Sequence, residues 1–522
     1  MFSRHTLRHR RSLWVTAALC FAAVLAVTGC RSAVEQARSG TEVTEGGTLR
    51  VGNNGDFAPA SLYSGAPAQA TLTGLVYDTL LTYPAESLEA QPALARSWRI
   101  AEDGRSVDLT LRDDVTFHDG RPFTAADVQF SLTTYAEPRR AGQLARTAAL
   151  ITGYEIGGPH RLTLRLARPA GTVLDLLAVV PIIDRNTLAD FDTGKGYNGT
   201  GAFRFVEWKP GASMTFAANE HYWGGRPHLD GVEYVVVPDA QTRISQLRSG
   251  QLDLLLGAGP RDADALSRNP AFRVVPQTGV RANWYIGANV RAPGLQDVRV
   301  RRAIAHAVDR ARILADVYRG HGSTDALPWP EYSPAFDAGL NSAYSHDPDK
   351  ARALVAEAGE LPVIPISYTT GSTETEAVAQ IVQADLAAAG IDTRLDPLDY
   401  ATTIERLIGG TYPGLWITAH TYAQFNPATL PTSAYPFNPQ KNASNFADDD
   451  YRRAVESAWA IVDPESPEAA AAYHRFNTEL LDNAFVIELV GFENDLLMAG
   501  GVHGVAWSKR AELELADAYL GG

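Results

Sequence analysis

The sequence predicts an α/β protein of two or three domains, and three observations carry that expectation. Strand-like apolar runs alternate with capped, helix-periodic stretches, the pattern of α/β lobes with mainly parallel pairing. At 522 residues the chain is too long for a single core. A hydrophobic share of 45%, with 30 prolines spread along the chain, fits an ordinary globular body.

The start reads as an export signal. Arg8-His9-Arg10-Arg11 precedes an apolar run from Leu13 to Val27, and Val27-Thr28-Gly29-Cys30 closes it. That tetrapeptide resembles a bacterial lipobox, in which small residues suit a narrow protease pocket and the cysteine thiol takes the lipid. Cys30 is therefore the expected lipidation site. Arg10-Arg11 also fits a twin-arginine signal, although a plain basic leader explains it as well. The polar stretch from Arg31 to Gly46 is expected to be a flexible spacer. Cys20 and Cys30 are the only two cysteines, so no disulfide framework or cysteine metal site is expected in the body. The net charge is −14, and the leader holds four arginines with no acid, so the body alone is more acidic still. Such a surface argues against nucleic acid as a partner.

Along the body, Gly47 to Gly52 reads as a strand, and Asn53-Asn54-Gly55-Asp56 at its end is either a plain turn or a ligand loop. Thr71 to Leu81 has helical periodicity through Leu72, Leu75, Val76 and Leu80. Val107, Leu109 and Leu111 alternate as a strand, Val115 to Phe117 is a short apolar run, and His118-Asp119-Gly120 is a turn. Thr124 and Asp127 form a capping-box pattern ahead of Val128. Arg161 to Leu166 is another alternating strand. Gly194-Lys195-Gly196-Tyr197-Asn198-Gly199 spells GxGxxG but precedes a strand, so it predicts a glycine-rich loop and not a nucleotide site. Leu229 to Val237, a helix capped by Asp239 and stopped at Gly250, and Leu252 to Leu255 make a β-α-β unit. A helix from Val298 through Leu314 should show a solvated arginine face. Asp347-Pro348 and Ser466-Pro467 open helices, Thr373 to Ala389 is a helix, and Phe485 to Val490 is an apolar strand.

Leu94 to Leu132, with its LAxSW start and its DGxxxxxxLRxxVxFHDGxPFTAxDV core, resembles the family 5 solute-binding proteins of ABC importers. That group takes dipeptides, oligopeptides and nickel. Further matches are Gly199 to Phe203 (GTGAF), Asn219 to Trp223 (NxxYW) and the Asn283 to Asn289 segment, so the resemblance covers Gly46 to about Val505. It implies a two-lobed periplasmic-binding-protein-like α/β fold (class II, cluster C type) with an inserted subdomain and a hinge. The implied division is 1–29 signal, 30–46 lipidated linker, 47–75 and 196–285 first lobe, and 76–195 inserted subdomain. Residues 286–487 would form the second lobe, and 488–522 would return to the first. The implied protein is an extracytoplasmic monomer that closes around a small-molecule or peptide-like ligand and docks on membrane permease subunits.

Peptide-binding members hold the ligand's amino group with an aspartate shortly after a tryptophan-containing strand. The matching stretch here, Gly414 to Pro427, contains no acid. A buried ammonium without a countercharge costs several kcal/mol, so a ligand that is neutral or blocked at that end is expected. Trp416, Tyr422 and Phe425 would pack on it, with polar contacts from His420 and Asn426. Asn53, Asn54, Trp284 and Tyr285 are placed at the lobe edges by the same resemblance. No GxSxG, GxxxxGK[ST], HExxH or CxxC motif occurs and the histidines are dispersed, so neither catalysis nor a metal or cofactor is expected. An exported hydrolase with residues assembled only in three dimensions, and a tethered sensor without transport, stay open.

Overall fold

The computed structural model of the chain describes residues 43–64, 66–140 and 142–521; the leader and Cys30 lie outside them. Its spine is one large mixed sheet that runs through both lobes. From one edge the strands are Thr393–Leu398, Ile364–Thr369, Leu415–His420, Phe272–Ala288 and Val486–Ala499. Leu254–Ala258, Thr48–Asn53, Gly231–Val236, Ser213–Ala218 and Phe203–Lys209 continue it to the other edge. The pairing is parallel around Thr48–Asn53 and around Ile364–Thr369 but antiparallel through the middle and at the Phe203–Lys209 edge. The expectation of mainly parallel pairing is corrected on this point. Capped β-α-β units enforce parallel neighbours locally, whereas long returns through the sheet's centre run antiparallel.

Two long strands join the lobes. Phe272–Ala288 has 17 residues and Val486–Ala499 has 14, and they pair antiparallel along most of their length. Only Phe485 to Val490 reads as a strand in the sequence, because its polar continuation through Glu493 and Asp495 breaks the apolar pattern. The register shifts between Pro276 and Arg281. Gly279 sits there at φ +83°, a conformation that L side chains rarely adopt.

Each lobe buries its own core. In the second, Leu415 and Ile417 pack into a cluster with Ile304, Val308, Ile366 and Val382. Trp416, on the opposite face of the same strand, packs with Trp329, Phe437 and Tyr451. Successive side chains point to opposite faces, and both faces are covered. In the first lobe the core around Leu49, Val51, Leu75 and Phe216 is continuous with that of a separate four-stranded antiparallel sheet. This sheet holds Ala95–Ile100, Ser106–Leu111, Arg161–Leu166 and Ile151–Gly158 in that order.

Caps behave as the sequence predicts. Asp239, Asp347 and Ser466 each accept the amide three residues on. Asp127 Oδ2 accepts from the Thr124 amide at 3.0 Å and its hydroxyl at 2.9 Å. Three helical expectations are corrected. The first helix is Pro67–Val76, not Thr71 to Leu81, because the chain turns extended at Tyr77. That turn carries Asp78 to the Thr200 hydroxyl, the Tyr222 phenol and the Trp223 indole. The helix from Val298 ends at Ala307, and Asp309 caps a second one, Arg310–Asp316. Its arginine face is only partly solvated. Arg299 and Arg312 are exposed and Arg302 is half-buried, but Arg301 and Arg310 are buried at 4% and 6% exposure. Val115 to Phe117 forms no strand beyond a bridge between Thr116 and Pro122.

Candidate ligand-binding site

A cleft of about 580 Å³ opens between the lobes. The first lobe supplies one wall from the Pro138 to Arg146 stretch. The second supplies the helix Tyr400–Gly409, the end of the Leu415–His420 strand with Thr421 and Tyr422, and the turn around Tyr435. The helix is set by its caps. Asp399 Oδ1 accepts from the Thr402 amide at 2.9 Å, and Gly410 ends the helix in the left-handed region at φ 65°. Tyr400, Ile404, Leu407 and Ile408 then recur on one face and line the cleft.

Trp416 does not line the cleft; it is the layer beneath. Its ring stacks on Tyr412 at 4.5 Å between centroids, and its Nε1 lies 3.4 Å from the Tyr285 hydroxyl. Tyr412 donates its hydroxyl to the Thr403 carbonyl at 3.0 Å, which ties the cleft helix to the tryptophan. The ring fits because residue 287 is glycine. A Cβ there would stand 2.0 Å from Trp416 Cζ2.

Tyr285, His420 and Tyr422 do line the cleft. His420 is 5% exposed, and its Nε2 lies 3.1 Å from Glu488 Oε1, a carboxyl group whose pKa burial pushes up. Phe437 packs edge-on against the imidazole at 5.1 Å. His420 Nδ1, Glu488 Oε2 and the Ser433 hydroxyl are buried with no partner. Glu488 comes from the long Val486–Ala499 strand, and nothing in its sequence neighbourhood marks it as the partner of a histidine 68 residues away.

The remaining predicted residues lie elsewhere. Phe425 packs into the first lobe's core and borders a separate cavity of about 280 Å³. Asn426 donates its amide to Asp175 Oδ2 at 3.0 Å, and the Thr429 hydroxyl reaches the same oxygen at 2.5 Å. The acid-free segment therefore meets an acid from the other lobe, one that sequence reasoning missed. Burial pushes the Asp175 pKa up to about 6. Trp284, one residue from Tyr285, points to the opposite face, stacks near Phe492 and bonds the Tyr318 hydroxyl. Asn53 closes a turn, its Oδ1 accepting from the Gly55 amide at 3.1 Å. Asn54 is exposed at the same turn, and neither lines the cleft.

His118 and Asp119 are turn residues, as the sequence reading has them, and Asp119 accepts the Arg121 amide at 3.0 Å. His118 does more. Its Nε2 donates to the Gly201 carbonyl at 3.0 Å and its Nδ1 accepts from the Gly199 amide at 3.4 Å, pinning the glycine-rich loop. That loop enters the Phe203–Lys209 strand. Among the described residues no cluster of three or more His, Cys, Asp or Glu side chains could hold a metal ion.

Residues 89–446 match the family model for the middle region of bacterial extracellular solute-binding proteins, family 5. Heme-binding protein A of Haemophilus influenzae is 30% identical over 66% of this chain and 68% of its own length. Oligopeptide-binding protein AppA of Bacillus subtilis is 27% identical over 77% of this chain and 78% of its own. The solved structure of that AppA with a nonapeptide has a TM-score of 0.78 at 21% identity, covering 92% of this chain and all of the other. The same two-lobed fold is shared, and a match over most of the chain decides its kinship: this chain belongs to the family 5 bacterial extracellular solute-binding proteins, the receptor subunits of ABC importers.

Proposed function

We propose that this protein is a lipid-tethered importer receptor that captures a peptide-like or other small solute between its lobes and delivers it to a membrane permease. The observation that carries this reading is the interlobe cleft, walled by both lobes, lined with tyrosines and without a carboxylate. Relatives are named for heme, oligopeptides, di- and tripeptides and nickel. A lining that lacks a counter-ion for an ammonium group favours solutes that are neutral or blocked there. Tyr285, His420 and Tyr422 would touch the ligand, and Trp416 would hold them in place. Binding without turnover is the activity. The lobe division that goes with it is 47–75, 196–285 and 488–522 for the first lobe, 76–195 for its subdomain and 286–487 for the second.

Tethering would follow removal of residues 1–29 and acylation of Cys30. Each buried CH2 contributes roughly 0.8 kcal/mol, so more than one acyl chain holds the monomer at the outer face of the cytoplasmic membrane. Cys30→Ser should release the protein from the membrane fraction, and persistent attachment would refute lipidation. The receptor role is tested by thermal shift of the purified chain against peptides, metal chelates, sugars and siderophores. A true ligand at about 100 times its Kd adds about 2.7 kcal/mol to stability. Turnover of a substrate without any such shift would overturn the receptor reading.

A further inference from the structure

We propose that the cleft selects monoanionic, amphipathic solutes: an apolar body seated on the Tyr400–Gly409 helix, an N–H or O–H donor facing His420, and one carboxylate held by Arg146. The inference rests on the cleft being the ligand site and adds the ligand's chemistry. Its first support is where apolar surface is left uncovered. Among the described residues six large hydrophobic side chains are exposed, and three of them rim this one cleft. They are Tyr400 at 71%, Ile408 at 42% and Tyr435 at 41% exposure. Single exposed apolar residues are ordinary, but a cluster around a concave opening marks a surface that something apolar covers.

The second support is charge. Among the described residues Arg146 is the only Asp, Glu, Lys or Arg side chain lining the cleft. It is exposed on the short helix Ala145–Ala148, and among the described residues no acid forms an ion pair with it. Its neighbours Arg139 and Arg140 are already engaged by Glu137 and Asp192. A guanidinium facing an otherwise uncharged cleft matches a carboxylate, to which it can offer two parallel N–H donors. It repels an ammonium group in the same place.

The third support is an unmet hydrogen bond. Where Glu488 accepts from His420 Nε2–H, the imidazole leaves Nδ1 as an acceptor, and that atom is buried without a partner. An acceptor left unpaired costs free energy, so a ligand N–H or O–H that reaches it is favoured. Apolar body, donor and carboxylate together describe an N-acylated apolar peptide or amino acid.

The test is calorimetric titration of the full chain in detergent with three probes: N-acetyl-Leu-Phe, its C-terminal amide, and Leu-Phe amide with a free ammonium. The acid should bind at least about 10-fold more tightly than its amide, a step of about 1.4 kcal/mol, and the cationic probe should bind weakest. Arg146→Gln should erase the preference for the acid, weakening the acid far more than the amide, and Arg146→Lys should restore part of it. Ile408→Ser should weaken acid and amide alike. Arg146 and Ile408 are exposed, so the variants should melt with the parent. Equal affinity for acid and amide, or tightest binding of the cation, would overturn the proposal while leaving the cleft as a ligand site. So would a solute from the wider screen whose binding ignores Arg146→Gln. If no solute binds at all, the ligand-site reading itself fails and this inference with it.

Discussion

Arg310 carries its charge into the interior of the second lobe and finds carbonyl oxygens there in place of an acid. Its guanidinium donates to Ala305, Asp325, Tyr344 and Glu488 carbonyls, and burial brings its pKa down to about 10, still charged at neutral pH. Arg310→Met keeps most of the volume but leaves four acceptors unpaired. It should cost about 3 kcal/mol or more in urea unfolding. In the sequence these arginines form one charged helical face, and periodicity cannot show which of them a neighbouring segment covers. His118 sets a pH dependence. Burial lowers its pKa from 6.5 to about 4 in the folded protein. Between those values the unfolded chain holds a proton that the folded chain lacks, so stability is lost as pH falls through that window. The contribution is on the order of 3 kcal/mol. His118→Gln should lose less stability than the parent between about pH 7.5 and about pH 4.5, and an unchanged slope would refute the assignment. The sequence marks His118 as turn chemistry, and that is correct for its backbone. Its ring partners lie more than 80 residues away, beyond the reach of local pattern.

The helix Tyr400–Gly409 is the element on which the cleft depends, and its signals are present in the sequence. Asp399 precedes it, Tyr400, Ile404, Leu407 and Ile408 recur on one face, and Gly409-Gly410 closes it. In the residue order it stands beside the tryptophan strand, which holds the stronger resemblance, and only the fold shows that it lines the cleft. Asp399→Ala removes the acceptor of the Thr402 amide and should destabilise the helix by about 1 kcal/mol. Hydrogen exchange should show faster amides over residues 400–409 while the Pro348–Ala358 helix stays protected. Uniform loss of protection would refute a local effect. Where caps and glycines mark both ends, as at Asp239 with Gly250 or Asp347 with Gly359, helix bounds are legible to within a residue or two. At Val76 no such mark exists. The helix stops because Gly199 and Gly201 pack against its last carbonyls, which also leaves no room for a Cβ at either glycine.

Across the two lobes, a set of buried and half-buried polar contacts joins one lobe to the other. Asp175 accepts from Asn426 and Thr429, the Trp459 indole donates to the Thr172 hydroxyl at 3.0 Å, and Arg168 stacks over the Trp459 ring at 3.5 Å. Lys509 Nζ joins them, donating to the Ala85 carbonyl at 2.9 Å and the Tyr332 hydroxyl at 3.0 Å. Asp175→Ala removes a charged acceptor worth about 1.5–3 kcal/mol, so it should favour lobe opening. X-ray scattering should give a larger radius of gyration, and ligand affinity should fall roughly 10-fold or more. A parent-like radius with parent-like affinity would show that the contact does not hold the lobes closed. Family, two-lobed α/β fold, most helix ends and the absence of an acid around Trp416 were legible in the residue order alone, because turns, caps and motif strings are local chemistry. Which tyrosines face the cleft, that Trp416 lies one layer beneath it, that Glu488 stands behind His420, and that Asp175 meets Asn426 and Thr429 away from the cleft all depend on segments brought together from far apart in the chain. Strand pairing and the closing of one lobe on the other bring those groups within hydrogen-bonding distance, and no local pattern records it.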